Sequence, residues 1–233
     1  GGFPHPDHFF VAPENRNIEG YAYISEEIEY KVIASVGDKF GNPVRVGTIV
    51  DFRSLNAGIV HGSAQTNENG FASVSFFPNG SAPQNHPRGI GFFTIRAHTY
   101  DEYNDDLTTD ELALLTTRDA RITFANNTFD VPSNGSDVID FTVTDLNGYP
   151  MAAGTRISVS AGGSIGIAGD GNITLGDYFE GGPGITEFSV TLTDTDDESA
   201  NRVPTTFTVT VTTPSNYTTT ATISGTRSKI RSR

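Results

Sequence analysis

One stretch of this sequence occurs twice. Residues 36–52 align without a gap on residues 143–159, with Val36/Val143, Asp38/Asp145, Gly41/Gly148, Pro43/Pro150, Gly47/Gly154 and Thr48/Thr155 coinciding. Further matches follow in the same order: 69–76 on 183–190, 93–97 on 207–211, and 115–118 on 224–227. Two copies of one unit account for the 233 residues. Each copy then has about the size of a single sandwich domain, near 100 residues.

The pattern inside each copy is that of strands and turns. Residues 93–98, 188–192 and 207–212 alternate apolar and polar side chains, with Thr on the outward positions. Period-two alternation in aromatic and β-branched residues gives strands with one buried face. Turn signals separate them, at Asn42-Pro43, Asn69-Gly70, Asn79-Gly80, Asn134-Gly135 and Asn147-Gly148. Residues 108–115 carry a helix-capping spacing, but the repeat sets 111–117 against 219–224, which alternates as a strand. Strand is therefore expected there. The fold class is all-β, with two tandem immunoglobulin-like β-sandwiches. The expected divisions are an N-terminal arm at 1–8, sandwiches at 9–118 and 119–227, and a basic C-terminal tail at 228–233.

Composition narrows the function. The formal net charge is −13, opposite to that of a protein that neutralises phosphates, so nucleic acid is excluded as a partner. No stretch approaches the ~20 apolar residues of a membrane-spanning helix. There is no Cys, which removes disulfides and thiol chemistry. The chain opens Gly1-Gly2 without Met, which reads as a processed product or a fragment.

The repeated motif has a physical reading. Val32, Ala34 and Val36 end a strand facing the core. Asp38 is placed to accept backbone N–H groups in the turn, Gly41 supplies a positive φ, Pro43 fixes the exit, and Gly47 precedes the next strand with Val50 and Phe52 inward. Asp145, Gly148, Pro150 and Gly154 repeat the device, with Ile157 and Val159 inward. A strand, then Asp-x-x-Gly-Asn-Pro-Val, a Gly-Thr strand start, and Thr66-x-x-Asn69-Gly70-x-Ala72-x-Val74 resembles the bacterial Ig-like domains of invasin- and intimin-type surface proteins. In the second copy Asn42 becomes Tyr149, and a Gly-rich stretch is added at 161–171. The resemblance implies an extracellular or cell-surface location in a bacterium, as spacer, adhesin or assembly subunit.

Side chains that could carry chemistry are few. Residues 162–166 satisfy G-x-S-x-G, but a nucleophile elbow needs strand–turn–helix and the context is a Gly-rich β loop. No other Ser/His/Asp grouping stands out, and the reading is non-catalytic, with no cofactor required. His5, Asp7 and His8 could ligate a metal only loosely from a Pro-rich arm. Two acidic clusters are calcium candidates: Asp101, Glu102, Asn104 and Asp106, and Asp194, Asp196 and Asp197. Calcium takes 6–8 oxygen ligands from mixed carboxylates and carbonyls. In the pairs Phe9-Phe10, Phe76-Phe77 and Phe92-Phe93 one ring is expected outward or covered by a neighbour.

The function expected is a structural or interaction module. Its partner is a protein or glycan at the cell surface, or another copy of the chain. Two alternatives stand beside it: a carbohydrate- or protein-binding module using the loops 161–171 and 79–91, and a subunit of a self-assembling extracellular filament or sheath.

Overall fold

The computed structural model describes residues 1–20, 29–56, 61–78, 82–195 and 202–228. They fold into two compact units, Gly1–Leu115 and Thr116–Arg233. In unit 1 the strands are β1 (Phe9–Pro13), β2 (Asn17–Gly20), β3 (Tyr30–Val36), β4 (Ile49–Leu55), β5 (His61–Gln65), β6 (Phe71–Phe76), β7 (Phe92–Tyr100) and β8 (Asp106–Thr117). One sheet runs β1-β3-β6 and the other β2-β8-β7-β4-β5. Their inner faces share one core, in which Val32, Ala34, Val50, Phe52, Phe93 and Ile95 are fully buried. Strand β3 shows why. Tyr30, Val32, Ala34 and Val36 turn inward while Lys31, Ile33 and Ser35 turn out.

Unit 2 repeats the plan with β9 (Ala120–Phe124), β10 (Asp130–Pro132), β11 (Ser136–Asp145), β12 (Arg156–Ala161), β13 (Ile165–Gly169), β14 (Asn172–Thr174), β15 (Glu187–Asp194), β16 (Val203–Thr212) and β17 (Thr218–Ser228). Its sheets run β13-β15-β11-β9 and β10-β17-β16-β12-β14. Four phenylalanines fill the centre: Phe207 lies 6.1 Å from Phe124 and 6.2 Å from Phe141, and Phe141 stacks on Phe188 at 5.4 Å.

The fold is the all-β pair of sandwiches read from the sequence, and 106–117 is strand, not helix. Three details differ from the sequence reading. First, the Gly-rich stretch at 161–171 is not a free loop, because its middle forms β13 and extends the sheet beyond β15. Second, the repeat departs from the matched offset after the first motif, by two residues in one direction at Gly70 and by two in the other at Ala97. Val36 takes Gly70 O and Val143 takes Thr186 O, so Gly70 corresponds to Thr186 and not to Gly184. Likewise Phe52 pairs with Ala97 and Val159 with Val209, so Ala97 corresponds to Val209 and not to Val211. A slip of two keeps every side chain on its face, so period-two alternation is blind to it.

Third, residues 1–8 belong to unit 1. The His5 N–H donates to Gly37 O at 3.0 Å, Gly37 N–H to His8 O at 2.8 Å, and Pro6–His8 makes one 3-10 turn. In the Phe92-Phe93 pair both rings are buried, the outward one covered by a neighbouring segment, which is one of the two outcomes expected. Phe93 enters the core, whereas Phe92 lies under the 82–91 segment, with Arg88 4.9 Å and His86 6.1 Å from its ring.

Strand β17 also contains a tight contact. A Cβ on Gly225 would stand 2.5 Å from the ring and carbonyl of Phe129. Gly225→Ala is therefore expected to destabilise unit 2 by about 1–3 kcal/mol through overpacking, measured as a lowered urea midpoint.

Candidate interaction site

The two motif carboxylates organise the same turn. Asp38 Oδ1 accepts the Phe40 N–H at 2.9 Å and the Asn42 N–H at 3.0 Å, while Gly41 sits at φ 79° and donates its N–H to Asp38 O. The Phe40 N–H foremost holds the Asp38 carboxyl below the usual range. Asp145 Oδ1 accepts the Asn147 and Tyr149 N–H groups at 2.8 and 2.9 Å, and its Oδ2 accepts Thr117 N–H at 3.1 Å. Asp145 is fully buried, and burial pushes its pKa up against the pull of those N–H groups. Pro43 bridges back to Gly37. Gly47 and Gly154, at φ 87° and 86°, give their N–H groups to Thr66 O and Leu175 O.

In unit 1 this turn carries an aromatic ring into solvent. Phe40 is 76% exposed. A second carboxylate does the same between β7 and β8: Asp101 Oδ1 accepts the Tyr103 N–H at 2.8 Å and the Asp105 N–H at 2.9 Å, with Asn104 at φ 64°. Tyr103 is 77% exposed. Phe3, on the segment tied down through His5, is the third ring, 55% exposed. These three line one groove of about 440 Å³ together with Asp38, Asp101 and Glu102. A neighbouring cleft of about 340 Å³ continues from Phe3 to Ile49 and Tyr100. We call this end of the sandwich, opposite the C-terminal end of β8, the leading end.

The counterpart positions in unit 2 are polar. The first motif sets Phe40 against Asn147 and Ile49 against Arg156. The β16–β17 turn repeats the backbone bonds of the β7–β8 turn. Asp101 N–H reaches Asp105 O as Thr213 N–H reaches Tyr217 O, and Asn104 and Asn216 share φ 64°. That sets Tyr103 against Ser215 and Tyr100 against Thr212. At these positions the scaffold carries rings and Ile49 in one copy and hydrophilic groups in the other, although the 145–150 turn of unit 2 also exposes Leu146. The sequence reading singled out Asp38 and the 101–106 cluster but not these rings. An aromatic two residues after a turn-forming Asp, as in Asp38-x-Phe40 and Asp101-x-Tyr103, is the signal that finds them.

Three of the carboxylates expected as calcium ligands, Asp101, Asp106 and Asp194, make contacts within the chain. Asp101 holds its own turn, and Asp106 Oδ1 lies 2.9 Å from His98 Nε2. Asp194 is buried, accepts the Asn134 N–H at 3.2 Å and lies 3.6 Å from Arg227. Asp196 and Asp197 lie outside the described residues, as do 79–81 of the expected 79–91 loop. Among the described residues no group of three or more His, Asp or Glu is placed to hold a metal ion. His5 Nδ1 accepts the Asp7 N–H at 3.4 Å, and His8 packs over Gly41. The G-x-S-x-G run joins β12 to β13 with no helix after it.

Two other surfaces stand out. In unit 2 a cavity of about 480 Å³ is lined by Phe124, Phe141 and Phe188 with Asp140, Asp170 and Glu187. There Asp170 Oδ2 accepts the Ser189 N–H. On the outer face of β1-β3-β6, Phe10 and Phe71 flank Ser35 in one row, with Ile33 two residues along β3.

No protein-family model matches the sequence. No curated protein matches it either. Among solved structures the chain is similar to the Yersinia pseudotuberculosis adhesin InvE, at 14% identity over 96% of this chain and 60% of that one, TM-score 0.37. It is similar to the D0-D1 domain of intimin, at 18% identity over 93% and 96% of the two chains, TM-score 0.35. The Escherichia coli adhesin FdeC gives 12% identity over 100% of this chain and 66% of that one, TM-score 0.41. The chain thus spans about three fifths of the first of these.

Two measurements follow from the carboxylates. A lowered folded pKa gives stability that is present above the unfolded value and lost as pH falls, so the stability gap between wild type and Asp38→Asn closes on acidification. A raised one works the other way, so the gap between wild type and Asp145→Asn narrows as pH rises. Urea unfolding of both variants between about pH 3 and 7 reads the opposite slopes. Melting curves in calcium and in EDTA are expected to coincide within about 1 °C, because an ion that bound only the folded state would raise the midpoint.

Proposed function

We propose that the chain is a non-catalytic interaction module of a bacterial surface protein, docking a protein partner at the leading end of unit 1. One observation carries this reading. Phe3, Phe40 and Tyr103 are held exposed around a groove by hydrogen-bonded turns, while the equivalent turns of unit 2 carry Asn147 and Ser215. Exposed apolar groups that cluster around a concavity mark interaction sites more often than scattered ones do. Aromatic rings at the centre of a contact also contribute most of its energy. Surface placement follows the resemblance of the Asp-x-x-Gly-Asn-Pro-Val turn to invasin- and intimin-type domains. The alternative site at 161–171 is weakened, since 165–169 is committed to β13.

The test is a binding screen of the whole chain on parallel arrays of purified envelope proteins and of glycans, repeated with Phe40→Ser/Tyr103→Ser. Both side chains are exposed, so this variant is expected to keep its melting temperature. Protein binding that falls at least about tenfold in the variant supports the reading. Equal binding by the variant overturns the groove, and retention on glycans alone overturns the protein partner.

A further inference from the structure

We infer that the aromatic groove of unit 1 takes the basic segment Lys229-Ile230-Arg231-Ser232-Arg233 of a second copy of the chain, joining copies head to tail. The inference rests on the interaction-module reading and names its partner. The groove supplies two kinds of contact. Its lining includes three exposed rings, Phe3, Phe40 and Tyr103, beside Pro4, Pro6 and Leu107. The lining also carries Asp101, Glu102, the buried Asp38 and one cation, Lys39, and Asp105 and Asp106 follow Tyr103 in sequence, so carboxylates outnumber cations there. The rings already accept a cation: Lys39 Nζ stands 5.0 Å from the centroid of Phe40. Aromatic faces beside carboxylates suit a ligand that is cationic and partly aliphatic.

One segment of the sequence has that chemistry. The chain holds 15 Lys and Arg against 28 Asp and Glu, yet residues 229–233 contain three cations, one Ile and no acid. Lys229, Arg231 and Arg233 therefore complement the carboxylates, and Ile230 complements the rings. Arg227 is excluded from this set because it is buried and lies 3.6 Å from Asp194.

Topology sets the geometry of the contact. Strand β17 starts beside the 213–217 turn, at the leading end of unit 2, and runs antiparallel to β16 toward the other end. The basic segment therefore follows the trailing end of the second sandwich, and the groove lies on the leading end of the first. Two different surfaces meet in such a contact, so it is heterologous.

The experiment is sedimentation velocity on the whole chain at concentrations up to about 100 µM in low salt. It is repeated in about 0.5 M sodium chloride, where the charges of the groove are screened. Three variants accompany it: Phe40→Ser/Tyr103→Ser, the triple reversal Lys229→Glu/Arg231→Glu/Arg233→Glu, and Glu102→Lys. The expected result is a series of species above the 24.9 kDa monomer. Salt, the aromatic variant and the reversal should each weaken the association at least about tenfold. Mixing the reversal variant with Glu102→Lys should restore part of it. A monomer at every concentration overturns the head-to-tail contact, and so does association that survives the reversal. Neither result touches the partner binding read by the arrays, so the two failures are distinguishable.

Discussion

A single carboxylate per sandwich closes the connection on which the rest of each unit is built. Between β3 and β4 the chain must leave one sheet, reverse and enter the other, and its turn amides have no ladder to join. Asp38 and Asp145 each collect two of these N–H groups on one oxygen, Oδ1. Asp145 adds the N–H of Thr117, which fixes where the chain enters unit 2. Without the acceptor, those amides would have to find water at the margin of the core. With it, the positions of Val44, Val50 and Phe52 relative to Val36 follow, and so does the face each strand presents.

The two copies show how far one scaffold can be varied once that turn is fixed. The insertion in unit 2 does not disturb the core. It supplies β13, which covers the edge that β15 would otherwise present, whereas β6 ends its sheet in unit 1. At the leading end the variation is in side chains alone. The same Asx-type hydrogen bond that displays Phe40 in one unit displays Asn147 in the other. The backbone of these turns is held constant and the chemistry is changed where solvent meets it.

Much of the architecture was legible from residue order, because strands with one buried face announce themselves by alternation and Asp-x-x-Gly turns by their residue types. What escaped has physical causes. The offset between copies after Gly70 was misread by two residues because a shift of two preserves facing. Alternation left open whether the outward ring of the Phe92-Phe93 pair is exposed or covered, and Arg88 and His86, a few residues before it, cover it. The groove was missed because Phe40, Tyr103 and Phe3 are distant in sequence and look like ordinary core aromatics one at a time. Only the convergence of three segments makes them a site. In the acidic cluster at 101–106 the charge was legible, but not that Asp101 braces the turn that displays Tyr103.

The short pair β10–β17 has a mechanical consequence. It is parallel, with Asp130 beside Thr226, Val131 beside Arg227 and Pro132 beside Ser228. The chain reaches β10 from the front of unit 2 and leaves from the far end of β17. Tension along the polypeptide therefore pulls these strands past each other lengthwise. In that direction the bridging bonds bear load together, while strands pulled apart from a common end give way one bond at a time. The pair also lies closest to the exit, so the stretch at which an extending force first meets unit 2 from behind is the one arranged to resist it.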